Sequence, residues 1–265
     1  MKVAAFFFDL DGTLVDTEAV WAGAIVDWLA ESGVKADEDE LLKFIVGRSW
    51  RAINEALHER YPEIGESSIE EDSRRLRDLY AKRVSDPASL VIHDSVEFLK
   101  RVSALAPVAI VSGSPHADIV NAAKLCGIAE RIALILGVED YPKGKPDPSP
   151  YLTAAAKLGV TPEECVVIED SVVGVTSGVA AGMKVIAIKR EAGELPGVWM
   201  NCTRLAEIDV AVNGKQEAGK TVTVRFSVQE GSETKQVTVR NIKVYGTPSL
   251  SLDESAFKKY RDMYA

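Results

Sequence analysis

Cysteine is scarce in this 265-residue chain. The three cysteines, Cys126, Cys165 and Cys202, lie far apart and are odd in number. That excludes a disulfide-built scaffold, and the spacing fits no cysteine metal site. They read as inert thiols of a protein kept in a reducing cytoplasm. Long apolar runs are missing too. No stretch approaches the roughly 18 residues that a membrane helix needs. The first apolar run, Val3–Phe8, stops at Asp9 and is too short for a signal-peptide core. Positive charge is in deficit: 31 Lys and Arg face 40 Asp and Glu, a net charge of −9. General binding to nucleic acid or to an anionic membrane is therefore not expected. No glycine-rich Walker sequence occurs, which excludes a P-loop nucleotide site. What remains is an ordinary globular composition, 46% apolar and 27% charged, without repeats or low-complexity tracts.

Five short apolar runs suit buried parallel strands: Val3–Phe8, Val108–Val111, Ala133–Leu136, Cys165–Ile168 and Lys184–Ile188. Helical patterns between the later ones end at Gly127, Gly159 and Gly182, the position where a left-handed cap is common. Alternation of this kind predicts an α/β fold with a Rossmann-like, doubly wound parallel sheet. Residues 1–15 and 90–205 are expected to form that core. Between them, residues 16–89 read as an inserted helical cap. Val20, Trp21, Ala24, Ile25, Trp28 and Leu29 recur at helical spacing, and Ser68 with Glu71 forms a capping-box pattern. Residues 206–265 change character and are expected to form a small β-rich appendage with a terminal helix. Thr221–Val228 alternates strictly, Gln236–Tyr245 reads as its partner, and a slip in phase places a bulge near Arg240. Charge shifts with structure: residues 211–265 carry 9 basic and 6 acidic groups, the first 210 carry 22 and 34. An unpaired strand there makes the appendage a candidate surface for homo-oligomer formation.

Four polar clusters follow four predicted strands. They are Asp9-Leu10-Asp11-Gly12-Thr13, Ser112-Gly113-Ser114, Lys143-Gly144-Lys145-Pro146 and Glu169-Asp170-Ser171. Open parallel sheets bind ligands beyond the carboxyl ends of their strands, so the four clusters are expected to converge. Each alone is compatible with an ordinary turn or a solvated helix end. Two carboxylates at the mouth of a buried strand are costly unless something cationic lies beside them. Carboxylates from two strands, Asp9 and Asp170, suit Mg²⁺, a hard ion that prefers oxygen. A lysine and a hydroxyl beside a glycine, Lys145 with Ser112 and Gly113, suit a phosphoryl group. A carboxylate can itself attack phosphorus.

These motifs, in this order, resemble the haloacid dehalogenase superfamily over roughly residues 1–205. The branch resembled is the helical-cap one that holds β-phosphoglucomutases and phosphoglycolate phosphatases. The resemblance implies Asp9 as the nucleophile that takes the phosphoryl group. It implies Asp11 as the acid that protonates the leaving alcohol and then activates water. It implies Mg²⁺ held by the Asp9 side chain, the Asp11 carbonyl and Asp170, with Glu169 acting through a metal-bound water. Ser112 and Lys145 would neutralise the phosphoryl oxygens. Gly47-Arg48-Ser49 falls where related enzymes carry a specificity loop, which makes Gly47 and Arg48 candidates for substrate contact. Trp21 and Trp50 are further candidates, although tryptophans at helical spacing more often belong to a core.

A second aspartate at position 11 argues against a true dehalogenase. A mutase of this family is expected to place histidine twelve residues after the nucleophile, where this chain has Trp21. The favoured reading is a Mg²⁺-dependent phosphatase for a small phosphorylated metabolite, a sugar phosphate or a phosphoglycolate-like ester. A sugar phosphomutase, or a non-catalytic scaffold using the appendage, are the alternatives. Hinges for cap movement are expected near Asp16–Glu18 and Ser85–His93.

Overall fold

The computed structural model describes residues 3–45, 48, 50–188, 197–213, 221–230 and 233–243. A six-stranded parallel sheet runs in the order β3-β2-β1-β4-β5-β6. Its strands are β1 (Ala5–Phe8), β2 (Val108–Val111), β3 (Ile132–Leu136), β4 (Cys165–Glu169), β5 (Lys184–Ile188) and β6 (Met200–Cys202). The first five fall on the five expected runs. β6 is an addition: three residues, too short for a periodic signal.

Continuous apolar runs work here because both faces of the sheet are covered. Phe6 and Phe8 of β1 point into one apolar cluster, which also holds Val96, Phe98 and Leu99 of α5 (His93–Ser103) and Ile119 of α6 (His116–Leu125). Ala5 and Phe7 point the other way, toward Tyr151 and Ala154 of α7 (Ser149–Leu158) and Val175 of α8 (Val172–Ala180). Each fully buried Phe contributes about 2–3 kcal/mol. The helix ends follow the glycines: Gly159 closes α7 in the left-handed region.

The segment between β1 and β2 is helical, as expected. It contains α1 (Glu18–Glu31), α2 (Glu38–Ile45), α3 (Trp50–Arg60) and α4 (Ile69–Arg83). These pack around Ala24, Ile25, Trp28, Leu29, Leu57 and Leu76. Ser68 caps α4 with the reciprocal Glu71 bonds of a capping box. One polar knot lies inside: the buried Asp72 accepts from Asn54 (2.7 Å), His58 Nε2 (2.8 Å) and Ser67 Oγ (2.6 Å). The chain leaves and re-enters the sheet side by side. Asp16 N–H donates to Leu90 (2.7 Å), and Ile92 N–H donates to Leu14 (3.0 Å). Asp16, Leu90 and Ile92 fall within the two stretches named above as hinges, and Leu14 lies just before the first.

A separate antiparallel sheet holds β7 (Asp209–Asn213), β8 (Thr221–Glu230) and β9 (Glu233–Lys243). The alternation of β8 has a direct cause. Val224, Phe226 and Val228 join the apolar cluster under β1, while Arg225 and Gln229 face solvent. Phe226 packs on Phe6 (centroids 6.2 Å) and on Trp199 (5.8 Å). The β8–β9 register moves from Val222–Ile242 to Val224–Val239, which is the extra residue expected near Arg240. The expected terminal helix lies outside the described residues, as do Gly47 and Ser49.

Candidate active site

The sheet brings the four polar clusters to one end, beyond the carboxyl ends of β1, β2, β3 and β4. At the centre, Lys145 Nζ donates to Asp9 Oδ1 at 2.5 Å, to the Val111 carbonyl at 3.0 Å, and to Glu169 Oε1. All three ammonium protons are thereby engaged. Lys145 also lies over the Tyr151 ring, 5.1 Å from its centroid. Its loop is pinned from below, since Ser177 Oγ donates to the Asp147 carbonyl at 2.6 Å. Glu169 is fully buried and takes a second donor, the Tyr151 hydroxyl, at 2.6 Å.

Asp9, Glu169 and Asp170 each place one carboxylate oxygen within 4.8 Å of the others. Burial drives the Asp9 carboxyl well above its ordinary value, with Glu169, Asp170 and Asp11 adding in the same direction. Lys145 pulls against them but does not offset them. The lysine itself rises well above its ordinary value, because Asp9 and Glu169 outweigh its own desolvation. Several carboxylates thus converge on one ammonium. This is an all-oxygen donor set with uncompensated negative charge, and it fits a hard divalent cation such as Mg²⁺.

Asp11 has a different environment. Its carboxylate accepts from Thr17 Oγ1 (2.7 Å), Ser114 Oγ (2.7 Å) and Ser112 Oγ (3.2 Å). Ser112 is buried and also receives the Ser114 N–H at 3.0 Å. Tyr141 fixes this loop by donating to the Ser112 carbonyl at 2.7 Å. Gly113 is exposed, and its backbone has open space where a side chain would be. Two other glycines are dictated by crowding. Gly12 has φ +85°, and a Cβ there would fall 2.1 Å from Asp170 Oδ2. At Gly174, a Cβ would fall 2.0 Å from the Glu169 carboxyl carbon.

Of the residues singled out from sequence, Asp9, Lys145, Glu169 and Asp170 form one cluster, and Asp11 with Ser112 forms a second hydrogen-bonded group whose charge acts on Asp9, with Gly113 next to Ser112 in the chain. Arg48 is not drawn in: it is exposed, with its guanidinium over the Phe44 ring at 4.4 Å. Gly47 lies outside the described residues. Sequence reasoning missed Thr13, Thr17, Tyr141 and Tyr151. Thr13 sits inside the first motif and donates to Asp170 at 3.0 Å, so its neighbours were the available signal. The two tyrosines had none, because at helical or strand-end positions they read as apolar bulk.

A parallel α/β sheet that gathers acids from the ends of two strands and a lysine from a third loop places its charged groups where open α/β enzymes bind their ligands. Residues 3–182 match the haloacid dehalogenase-like hydrolase family, and the chain belongs to that family. It is 31% identical to hexitol phosphatase A of Escherichia coli (strain K12) over 82% of this chain and 94% of that one. It is 28% identical to 6-phosphogluconate phosphatase of the same organism over 69% of this chain and 81% of that one. Among solved structures it resembles a family hydrolase from Deinococcus radiodurans R1 with bound phosphate and sodium. That match has 28% identity and a TM-score of 0.58, and covers 77% of this chain and 93% of that one. The enzyme class expected from sequence, a phosphoric monoester hydrolase, is that of these named phosphatase relatives. No helix among the described residues is long and apolar enough to cross a membrane.

Proposed function

We propose that this protein is a cytoplasmic, Mg²⁺-dependent phosphatase that hydrolyses a small phosphorylated metabolite through an aspartyl-phosphate. The observation that carries the reading is the seating of Asp9. It lies at the tip of β1, 2.5 Å from Lys145, with Glu169 and Asp170 oxygens within 4.8 Å in the same cluster.

Asp9 attacks phosphorus, and the ester oxygen leaves as the alcohol. Asp11, held by three hydroxyls, is placed to give that oxygen its proton. The same carboxylate then takes a proton from the water that cleaves the acyl phosphate. Lys145 keeps Asp9 in place and lends positive charge to the phosphoryl oxygens. Ser112 orients Asp11 and lies beside the open backbone of Gly113, where an anion can approach. Asp9, Asp170 and Glu169 would hold Mg²⁺, with the Asp11 carbonyl completing the set. The ion supplies charge neutralisation around the phosphoryl group.

The helical segment acts as a cap over this end, moving about the paired connections at Asp16–Glu18 and Ser85–His93. The core comprises residues 1–15 and 90–205, the cap 16–89 and the appendage 206–265. Arg48 and Gly47 remain proposed substrate contacts of the cap, and the appendage a proposed surface for pairing of two copies.

The test is phosphate release from a panel of phosphorylated sugars, sugar alcohols and phosphoglycolate, with Mg²⁺ and after chelation. Turnover is expected with Mg²⁺ and loss of at least about 100-fold without it. Metal-independent release would overturn the proposal.

A further inference from the structure

The loop after β3 grips the loop after β2 at every second residue. Val138 N–H donates to the Ser114 carbonyl at 3.1 Å, and Glu139 Oε1 accepts the His116 N–H at 2.9 Å. Tyr141, buried at the end of the same loop, donates its hydroxyl to the Ser112 carbonyl at 2.7 Å. The gripping loop is itself tied down. Its Asp140 accepts the Gly137 N–H at 2.8 Å, faces His116 Nδ1 at 3.3 Å and pairs with Lys157 of α7 at 3.7 Å. The hydroxyls of Ser112 and Ser114 serve Asp11, whereas the Tyr141 hydroxyl is spent on backbone.

The backbone at Ser112 has a defined direction. Its N–H donates to the Leu136 carbonyl of β3 at 3.1 Å, and its own carbonyl meets Tyr141 in the loop after β3. Both backbone groups of Ser112 therefore turn to the β3 side of β2. The peptide bonds on either side of it are trans, so in each the carbonyl and the N–H point opposite ways. The Val111 carbonyl must then face β1, the other neighbour of β2. It does: Lys145 Nζ, which also holds Asp9, donates to it at 3.0 Å. The Gly113 N–H shares its peptide with the Ser112 carbonyl and faces the same way as the Val111 carbonyl. It has no acceptor among the described residues, and the space beside Gly113 is open. A peptide next to an exposed glycine turns easily, so the bond from Tyr141 is what fixes this one.

We infer that Tyr141 is a positioning residue of the reaction: by fixing the Ser112 carbonyl it aims the Gly113 N–H at a phosphoryl oxygen in the transition state of attack by Asp9. It acts through one peptide unit. Without the phenol, the Ser112 carbonyl loses its donor and the peptide rotates toward another, which carries the N–H out of line. A donor set in advance counts most where charge is redistributed, so its loss falls on the transition state more than on the bound ester. This rests on the phosphatase reading and adds to it a side chain outside the four motifs.

The test is Tyr141→Phe in the full chain with Mg²⁺, a change that keeps the ring and removes only the donor. On the ester that the parent turns over fastest, kcat is expected to fall about tenfold while KM stays within about twofold. Inhibition by orthovanadate, which mimics five-coordinate phosphorus, should weaken about tenfold, and inhibition by inorganic phosphate by no more than about twofold. In the parent labelled with ¹⁵N-glycine, orthovanadate should move the Gly113 amide proton downfield, and that movement should be lost in Tyr141→Phe. A tyrosine with a purely structural role would lower the melting temperature and leave the amide response and kcat as they were, which would overturn the inference. Equal weakening of the two inhibitors would do the same. A Gly113 amide that ignores orthovanadate in the parent would overturn it without any variant having to fold. Absence of phosphate release from the parent on every ester would instead overturn the phosphatase reading, and this inference with it.

Discussion

Asp9 and Asp72 are both buried, yet their charges are answered in opposite ways. Around Asp72, three donors face one carboxylate, and the hydrogen bonds from His58, Ser67 and Asn54 overcome desolvation to hold its pKa below the ordinary value. Around Asp9, other carboxylates crowd the same space, and the pKa is driven up. A satisfied buried acid fastens structure; an unsatisfied cluster of acids is costly and implies a partner from outside. The difference separates the knot in the helical segment from the site at the strand ends, although both combine acids with a cationic or titratable partner.

Substitution tests that contrast directly. The largest effect is expected from Asp9→Asn. Phosphate release should fall by at least about a thousandfold, since the nucleophile is gone. Its melting temperature without metal should hold or rise, because one of several repelling charges has been removed. A fall in melting temperature would show that Asp9 is part of the scaffold. Next in size is Asp72→Ala. Three donors lose their acceptor, and stability should drop by about 3 kcal/mol in urea unfolding. An unchanged midpoint would remove the distinction between the two centres. The smallest effect is the pH dependence of that loss. Asp72 has a depressed pKa when folded, so its stabilisation is fully present above the unfolded value near 3.8 and is lost as pH falls through the folded one. The gap between the parent chain and Asp72→Ala should therefore narrow on acidification below about pH 4. A gap that widens there would reverse the assigned sign.

The central sheet was legible because burial on both faces leaves uninterrupted apolar runs, and β1, β2, β4 and β5 show this plainly. The reactive acids and Lys145 were legible for a related reason. Asp9 directly follows such a run and Asp170 lies just beyond another, at strand mouths where few incidental charges are tolerated, while Lys145 stands in the loop that follows the third. The resemblance to a known family then assigned them roles. β6 and β7 escaped notice because each is broken by polar residues, Asn201 in the first and Asp209 and Asn213 in the second, so neither shows an uninterrupted apolar run. Thr17 escaped because a hydroxyl at a helix start reads as a cap, yet its side chain makes no capping bond and turns to Asp11 instead. Tyr151 escaped because its ring stacks on Phe7 like any core residue while its hydroxyl alone reaches Glu169. Local pattern reports which face is buried; it does not report which polar atom on that face is aimed.

The contact between Phe226 and Phe6 has a consequence for how the protein is made. The strand that leads to Asp9 is translated well before Phe226, one of the rings that shields it. During synthesis Phe6 stays uncovered on that side until β8 has been translated. The nascent enzyme therefore carries an exposed aromatic flank over the whole interval between the two strands, a stage at which a chaperone would find its natural handhold.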